Sequence, residues 1–335
     1  MQLFWSGLAA ELERQGRWRD LLSLTERLHY MAAVPARDRL MVLGYTLGAL
    51  SHAGRHDHCR RLLETSGVGA MLAEAKRKDV AEYQKQSPLQ SPGHLDQGSM
   101  RQHQAFICKW LLPTPNPESV QLADQAGAPR WPLIFDFLLK QGCDSPRALN
   151  QALRRCGTAR QVKSVLASLQ GLLTQGPEGK AQYEAILTEN ISKHIFYMRR
   201  ALGRSSPKEV DDVERMLVAM KFDCEGHPIL LGAKCVSLST HGGPMGREKA
   251  GQLCLFFLSQ CDSWRRMFNL AVFDIIAPKV LIKILCDGRV GQRGGEFLRD
   301  KLSAKKDMDQ LDAAVRELSK TLEGSVEFEL LRAEL

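Results

Sequence analysis

The chain has 335 residues, 44% of them hydrophobic and 7% aromatic, with 46 Lys and Arg against 38 Asp and Glu. That length and apolar content can bury one large core or two smaller ones, which excludes a chain too polar to fold. Nine cysteines without a Cys-x-x-Cys pair exclude a disulfide framework and favour buried thiols in a reducing compartment. No run reaches the roughly 18 apolar residues of a membrane span. The opening MQLFWSGLAAELER has no basic region before its apolar run and reaches Glu11 and Glu13 early, so neither a secretory leader nor a mitochondrial targeting helix is expected. An intracellular location follows, the cytoplasm or nucleus ahead of an organelle.

Leu, Ala and Arg are frequent and β-branched runs of strand length are scarce, so helices are expected throughout. Leu8 and Leu12 precede Gly16, and Leu21, Leu22, Leu24 and Leu28 follow it, the pattern of a short helical hairpin. The stretch 39–64 repeats it about Gly54, with Leu43, Leu47 and Leu50 before the break and Leu62 and Leu63 after it. A further helix over 68–83 completes an N-terminal set of hairpins, residues 1–83. Residues 84–100, QKQSPLQSPGHLDQGSM, carry two Ser-Pro steps and read as a linker or long loop.

Residues 101–203 form a basic helical segment, with 13 Lys and Arg against 7 Asp and Glu. A short apolar helix holds Phe106, Ile107, Trp110 and Leu111, and PTPNPES breaks the chain at 113–119. Pro132 and Gly142 frame a buried helix over 131–140, and a hairpin about Gly157 joins 144–155 to 161–173. The chain then restarts at 177–180 into a helix expected to reach about Leu202. Residues 204–335 form a C-terminal helical segment in which SSPKEVDD marks a helix start. From 222 to 246 regularity fails in an irregular loop rich in Cys, His and Gly. Helices resume over 249–261, 264–273 and 280–285, GRVGQRGG interrupts them at 288–295, and a last helix is expected over 297–322. The fold class is all-α, as an irregular α-solenoid or a bundle of stacked helical hairpins.

Chemistry-bearing residues gather at few places. Cys224, His227, Cys235 and His241 supply the sulfur and imidazole ligands that suit tetrahedral zinc, the one cofactor suggested; a loop with buried cysteines and surface histidines is the plainer reading. HGGPMGREK and GRVGQRGG raise phosphate binding, but neither has the Walker or dinucleotide pattern. His52, His56, His58 and Cys59 surround Gly54 as a polar hairpin tip. Arg154, Arg155, Arg160 and Lys163, followed by Lys193, Arg199, Arg200 and Arg204, would line a phosphate-contacting surface if neighbouring helices stack; solvated arginines are the alternative. Arg17, Trp18, Arg19, Arg60 and Arg61 carry the same two readings.

The hairpin residues Ala49, Leu50, Ala53, Gly54, Arg55, Leu62 and Leu63, with weaker versions about Gly16 and Gly157, resemble tetratricopeptide and pentatricopeptide repeats. The resemblance covers at most about a third of the chain, and it implies an α-solenoid. Tetratricopeptide repeats present grooves to protein partners; pentatricopeptide repeats bind single-stranded RNA. At the base-reading positions this chain would place Ser6, Gly44 and Arg147, of which Ser6 alone resembles a reader. The expected function is a noncatalytic α-helical scaffold or adaptor in protein assembly. The runner-up is an RNA- or DNA-associated protein using nonspecific phosphate contacts, and an enzyme with a composite site ranks third.

Overall fold

A computed structural model describes residues 4–30, 34–86, 101–112, 130–187, 191–222, 224, 226–302 and 304–335. The expected all-α class holds: among the described residues the regular elements are α-helices and a 3-10 turn at Leu172–Thr174, without a strand. The chain divides into two compact units, Met1–Tyr197 and Met198–Leu335.

In the first unit, α1 (Phe4–Arg14) and α2 (Trp18–Tyr30) reverse at Gly16, and α3 (Ala36–His52) and α4 (His56–Thr65) reverse at Gly54. The two glycines have φ of 67° and 69°, a left-handed conformation that a Cβ disfavours, so both expected hairpin breaks are true chain reversals. Then comes α5 (Val68–Gln86), which packs on α4. Helix α3 is the centre of this unit. Every residue from Val42 to Ser51 is buried, as a helix covered on all sides requires. It packs against α1, α2, α4, α6 (Gln102–Leu111) and α7 (Arg130–Lys140).

The unit continues through α8 (Pro146–Arg155), α9 (Ala159–Gly171), α10 (Gly176–Ile186) and the start of α11 (Ile191–Gly203). The single helix expected from 177–180 to about 202 is thus two. Helix α5 extends to Gln86, and both α3 and α5 pack on α6, so helices on either side of the expected 84–100 linker share one unit. Residues 87–100 and the PTPNPES segment lie outside the described residues.

The second unit holds α12 (Pro207–Ala219), α13 (Pro228–His241), α14 (Gly243–Ser259), α15 (Cys261–Phe268) and α16 (Val272–Ile275), followed by α17 (Pro278–Asp287), α18 (Gly291–Lys301), α19 (Lys305–Leu318) and α20 (Val326–Glu334). Helix α12 opens as its sequence signal requires: Glu209 accepts from the Ser206 backbone N–H at 2.9 Å and from its hydroxyl at 2.8 Å.

Most of the stretch expected to be an irregular Cys/His/Gly-rich loop, 222–246, is instead helical, forming α13 and the start of α14. Gly232 in this stretch and Gly251 just beyond it mark close approaches. A Cβ on Gly232 would lie 2.5 Å from Ile275 Cγ2, and one on Gly251 of α14 would lie 2.8 Å from Gly288 Cα. Likewise, most of GRVGQRGG opens α18, where Gly291 and Gly295 let α20 approach. The last expected helix, 297–322, divides between α18 and α19, with Leu302 extended between them.

Lys301 at the end of α18 pairs with Asp262 of α15, and this hydrogen bond holds the Asp262 carboxyl below its ordinary range. A depressed folded-state pKa stabilises above the unfolded-state value and stops doing so as pH falls through the folded value. Wild type should therefore melt above Asp262→Asn near neutral pH, with the difference shrinking on acidification below about pH 4. Paired thermal scans across that range check it.

Candidate functional site

Four helices of the first unit enclose a cleft of about 440 Å³. Its floor is Leu40 and Leu43 of α3 and Val68 of α5, all buried; half-buried Leu62 and Met71 form its wall from α4 and α5. The hydroxyls around it are engaged within the fold. Thr25 donates to the Leu21 carbonyl at 2.8 Å, Thr65 to the Arg61 carbonyl at 2.9 Å and Ser66 to the Leu63 carbonyl at 2.7 Å. Glu26 and Arg39 supply the charge at the rim. A lining of this kind offers apolar surface to a ligand and lacks a His, Cys or Lys for acid–base or nucleophilic work. From sequence, Leu43 and Leu62 read simply as core faces; the one local signal beside them is Gly67, whose φ of 72° turns the chain between α4 and α5.

The two hairpin tips of this unit meet. Arg19 lies 5.2 Å and Arg55 5.7 Å from the centre of the Trp18 ring, which joins the turn at Gly16 to the turn at Gly54. Beside them a second hollow is lined by Gly54, Arg55, His56, Asp57, His58, Arg60 and Arg61. Of the histidine cluster expected here, Cys59 faces inward and donates to the Leu47 carbonyl at 3.5 Å; the His52 side chain lies outside the described residues.

The residues considered for zinc run from Cys224, ahead of α13, to His241 at its end. His227 caps its amino end, where Nδ1 accepts from the Ile229 N–H at 3.3 Å and the ring lies against Phe268. His227 donates its backbone N–H to the Cys224 carbonyl at 3.1 Å, so these two come together. His241 is the last residue of the same 14-residue helix, about 20 Å further along at 1.5 Å per residue. Cys235 is fully buried between them and hydrogen-bonds Cys254, whose thiol is held well above its ordinary range. The four do not converge, and among the described residues no group of three or more His, Cys, Asp or Glu is placed to hold a metal.

All nine cysteines are free and buried. Burial pushes Cys286 up to about 12 and raises Cys156 further, and the Cys143 thiol, together with burial, raises Cys108. Such thiols stay protonated and make poor nucleophiles. In the GRVGQRGG segment the Gly291 N–H at the start of α18 is engaged within the fold, donating to Glu327 Oε2 at 2.8 Å.

The expected basic set is likewise divided. Arg154, Arg160 and Lys163 belong to the first unit, Arg199, Arg200 and Arg204 to the second, and the Lys193 side chain lies outside the described residues. Arg155 turns inward and donates to the Leu112 carbonyl at 3.0 Å. Among the described residues no helix is long and apolar enough to cross a membrane. Compared with protein-family models, with curated proteins and with solved structures, the chain gives no match.

Proposed function

We propose that the chain is a noncatalytic helical adaptor that seats an apolar segment of a protein partner in the cleft between α2, α3, α4 and α5. The observation that carries this reading is the lining: aliphatic and thioether side chains on three of the four helices, hydroxyls already engaged, and charge confined to the rim. A volume of about 440 Å³ accommodates a few side chains and lies within the range of ligand sites generally. Met71 is suited to such a surface because an unbranched thioether adapts to different apolar shapes. A groove between stacked hairpins is also what a tetratricopeptide-like arrangement would use, and the reading keeps that likeness as part of the proposal.

Peptides selected by display against the whole chain test it. Met71→Glu places a charge on the cleft wall at a half-buried position, so the fold should survive. Peptide affinity should fall by roughly tenfold or more, since desolvating a carboxylate without a partner costs over about 1.4 kcal/mol. Titration by fluorescence anisotropy, with circular dichroism as the folding check, reads the result. Selected peptides that bind Met71→Glu and Leu62→Glu as tightly as wild type would remove the cleft from the account.

A further inference from the structure

The meeting of the two hairpin tips gives the first unit a second surface of different chemistry. Five arginines lie at it: Arg17 and Arg19 from the first tip, Arg55, Arg60 and Arg61 from the second. All five are exposed. Two carboxylates temper them, Asp20 paired with Arg17 at 2.6 Å and Asp57 with Arg60 at 3.1 Å, which leaves the arginines in excess. Because Trp18 holds both Arg19 and Arg55 against its ring, these guanidiniums from different hairpins stay near one another with less freedom than isolated surface arginines have.

We infer that this surface binds single-stranded nucleic acid through its phosphates. Guanidinium groups match phosphate oxygens in a bidentate fork, and several of them spread over two adjacent tips fit a ligand with repeated charges better than one isolated anion. Flat rings stand among the cations in the hollow, His58 exposed and His56 half-buried; the Trp18 ring beside them is taken up by Arg19 and Arg55. A splayed base can stack on such rings, whereas the carboxylates of an acidic peptide cannot. His56 Nδ1 is buried and has no hydrogen-bond partner. Nothing in this arrangement reads base identity, so contact is independent of sequence.

The test is anisotropy of a fluorescein-labelled, mixed-sequence RNA of about 20 nucleotides with the full chain, at low and moderate salt. R55E/R60E/R61E should weaken binding by at least roughly tenfold and flatten the salt dependence, by about 0.7 in log–log slope for each lost phosphate contact. Trp18→Leu keeps the charges and frees the two arginines, so it should weaken binding by about threefold at nearly unchanged slope. R154E/R160E/R200E, on exposed arginines elsewhere, should bind within about twofold of wild type. Unchanged binding by R55E/R60E/R61E would overturn the inference, as would a loss confined to R154E/R160E/R200E. Poly-glutamate bound as tightly as RNA of equal charge would also overturn it, by making the surface one for acidic protein. The cleft variant Met71→Glu should bind RNA like wild type, so this site and the adaptor cleft can fail separately.

Discussion

Gly291→Ala is expected to destabilise the second unit by about 2–3 kcal/mol, the usual cost of forcing an extra carbon into a filled contact. Helix propensity alone predicts the opposite sign, because alanine is favoured over glycine by up to about 1 kcal/mol inside a helix. Packing wins here. The new Cβ would lie 2.0 Å from the Glu327 carbonyl oxygen, which belongs to the backbone of α20 and cannot swing aside as a side chain would. Either α18 and α20 separate or the first turn of α20 shifts, and the Gly291 to Glu327 hydrogen bond is strained with it. Gly7→Ala is the matched control, since a Cβ there meets nothing within 4 Å and should stabilise by a few tenths to about 1 kcal/mol. Denaturant titration of both variants, with hydrogen exchange to assign the change to α18 and α20, checks the sign of each.

Asp79→Ala should cost a further about 2–4 kcal/mol in the first unit, as loss of a buried, charged helix cap does. Asp79 is 4% exposed on α5, and its carboxylate reaches across to the start of α6. One oxygen accepts the His103 N–H at 2.9 Å and lies 2.9 Å from His103 Nδ1; the other accepts the Gln104 N–H at 3.1 Å. A carboxylate at this end also suits the helix dipole. Removing it leaves donors of α6 unsatisfied in a buried place, and α6 is the helix on which α3, α5 and α8 all pack. Asp79→Asn keeps an acceptor and the shape, so it should cost about 1 kcal/mol, near the value of one neutral hydrogen bond. Exchange protection of the α6 amides should fall first in Asp79→Ala, ahead of those in α1 and α2.

How much of this was legible in the sequence depended on whether the cause was local. Gly16 and Gly54 were readable because a helix reversal places its requirement on one residue, a left-handed φ. The start of α12 was readable for the same reason, since Ser206, Pro207 and Glu209 sit within one turn. Gly232 and Gly291 were misread as loop formers because what they respond to lies far along the chain: Ile275 and Glu327. Glycine marks a turn or a close approach, and composition cannot separate the two. Candidate sites followed the same division. His227 and His241 are close in sequence, yet a helix intervenes and holds them apart. Trp18 and Arg55 are distant in sequence, yet two hairpins bring them into contact. The cleft residues Leu43, Leu62 and Met71 carry no polar signal at all, and only the geometry of four helices distinguishes them from core.

The adaptor reading turns on whether a partner segment occupies that cleft. Hydrogen exchange of the whole chain, with and without a saturating display-selected peptide, measures this most directly. The account predicts slowed exchange confined to segments 25–26, 39–43 and 62–71, with the tips at Gly16 and Gly54 unchanged. Protection elsewhere in the chain, with those three segments unaffected, would contradict it.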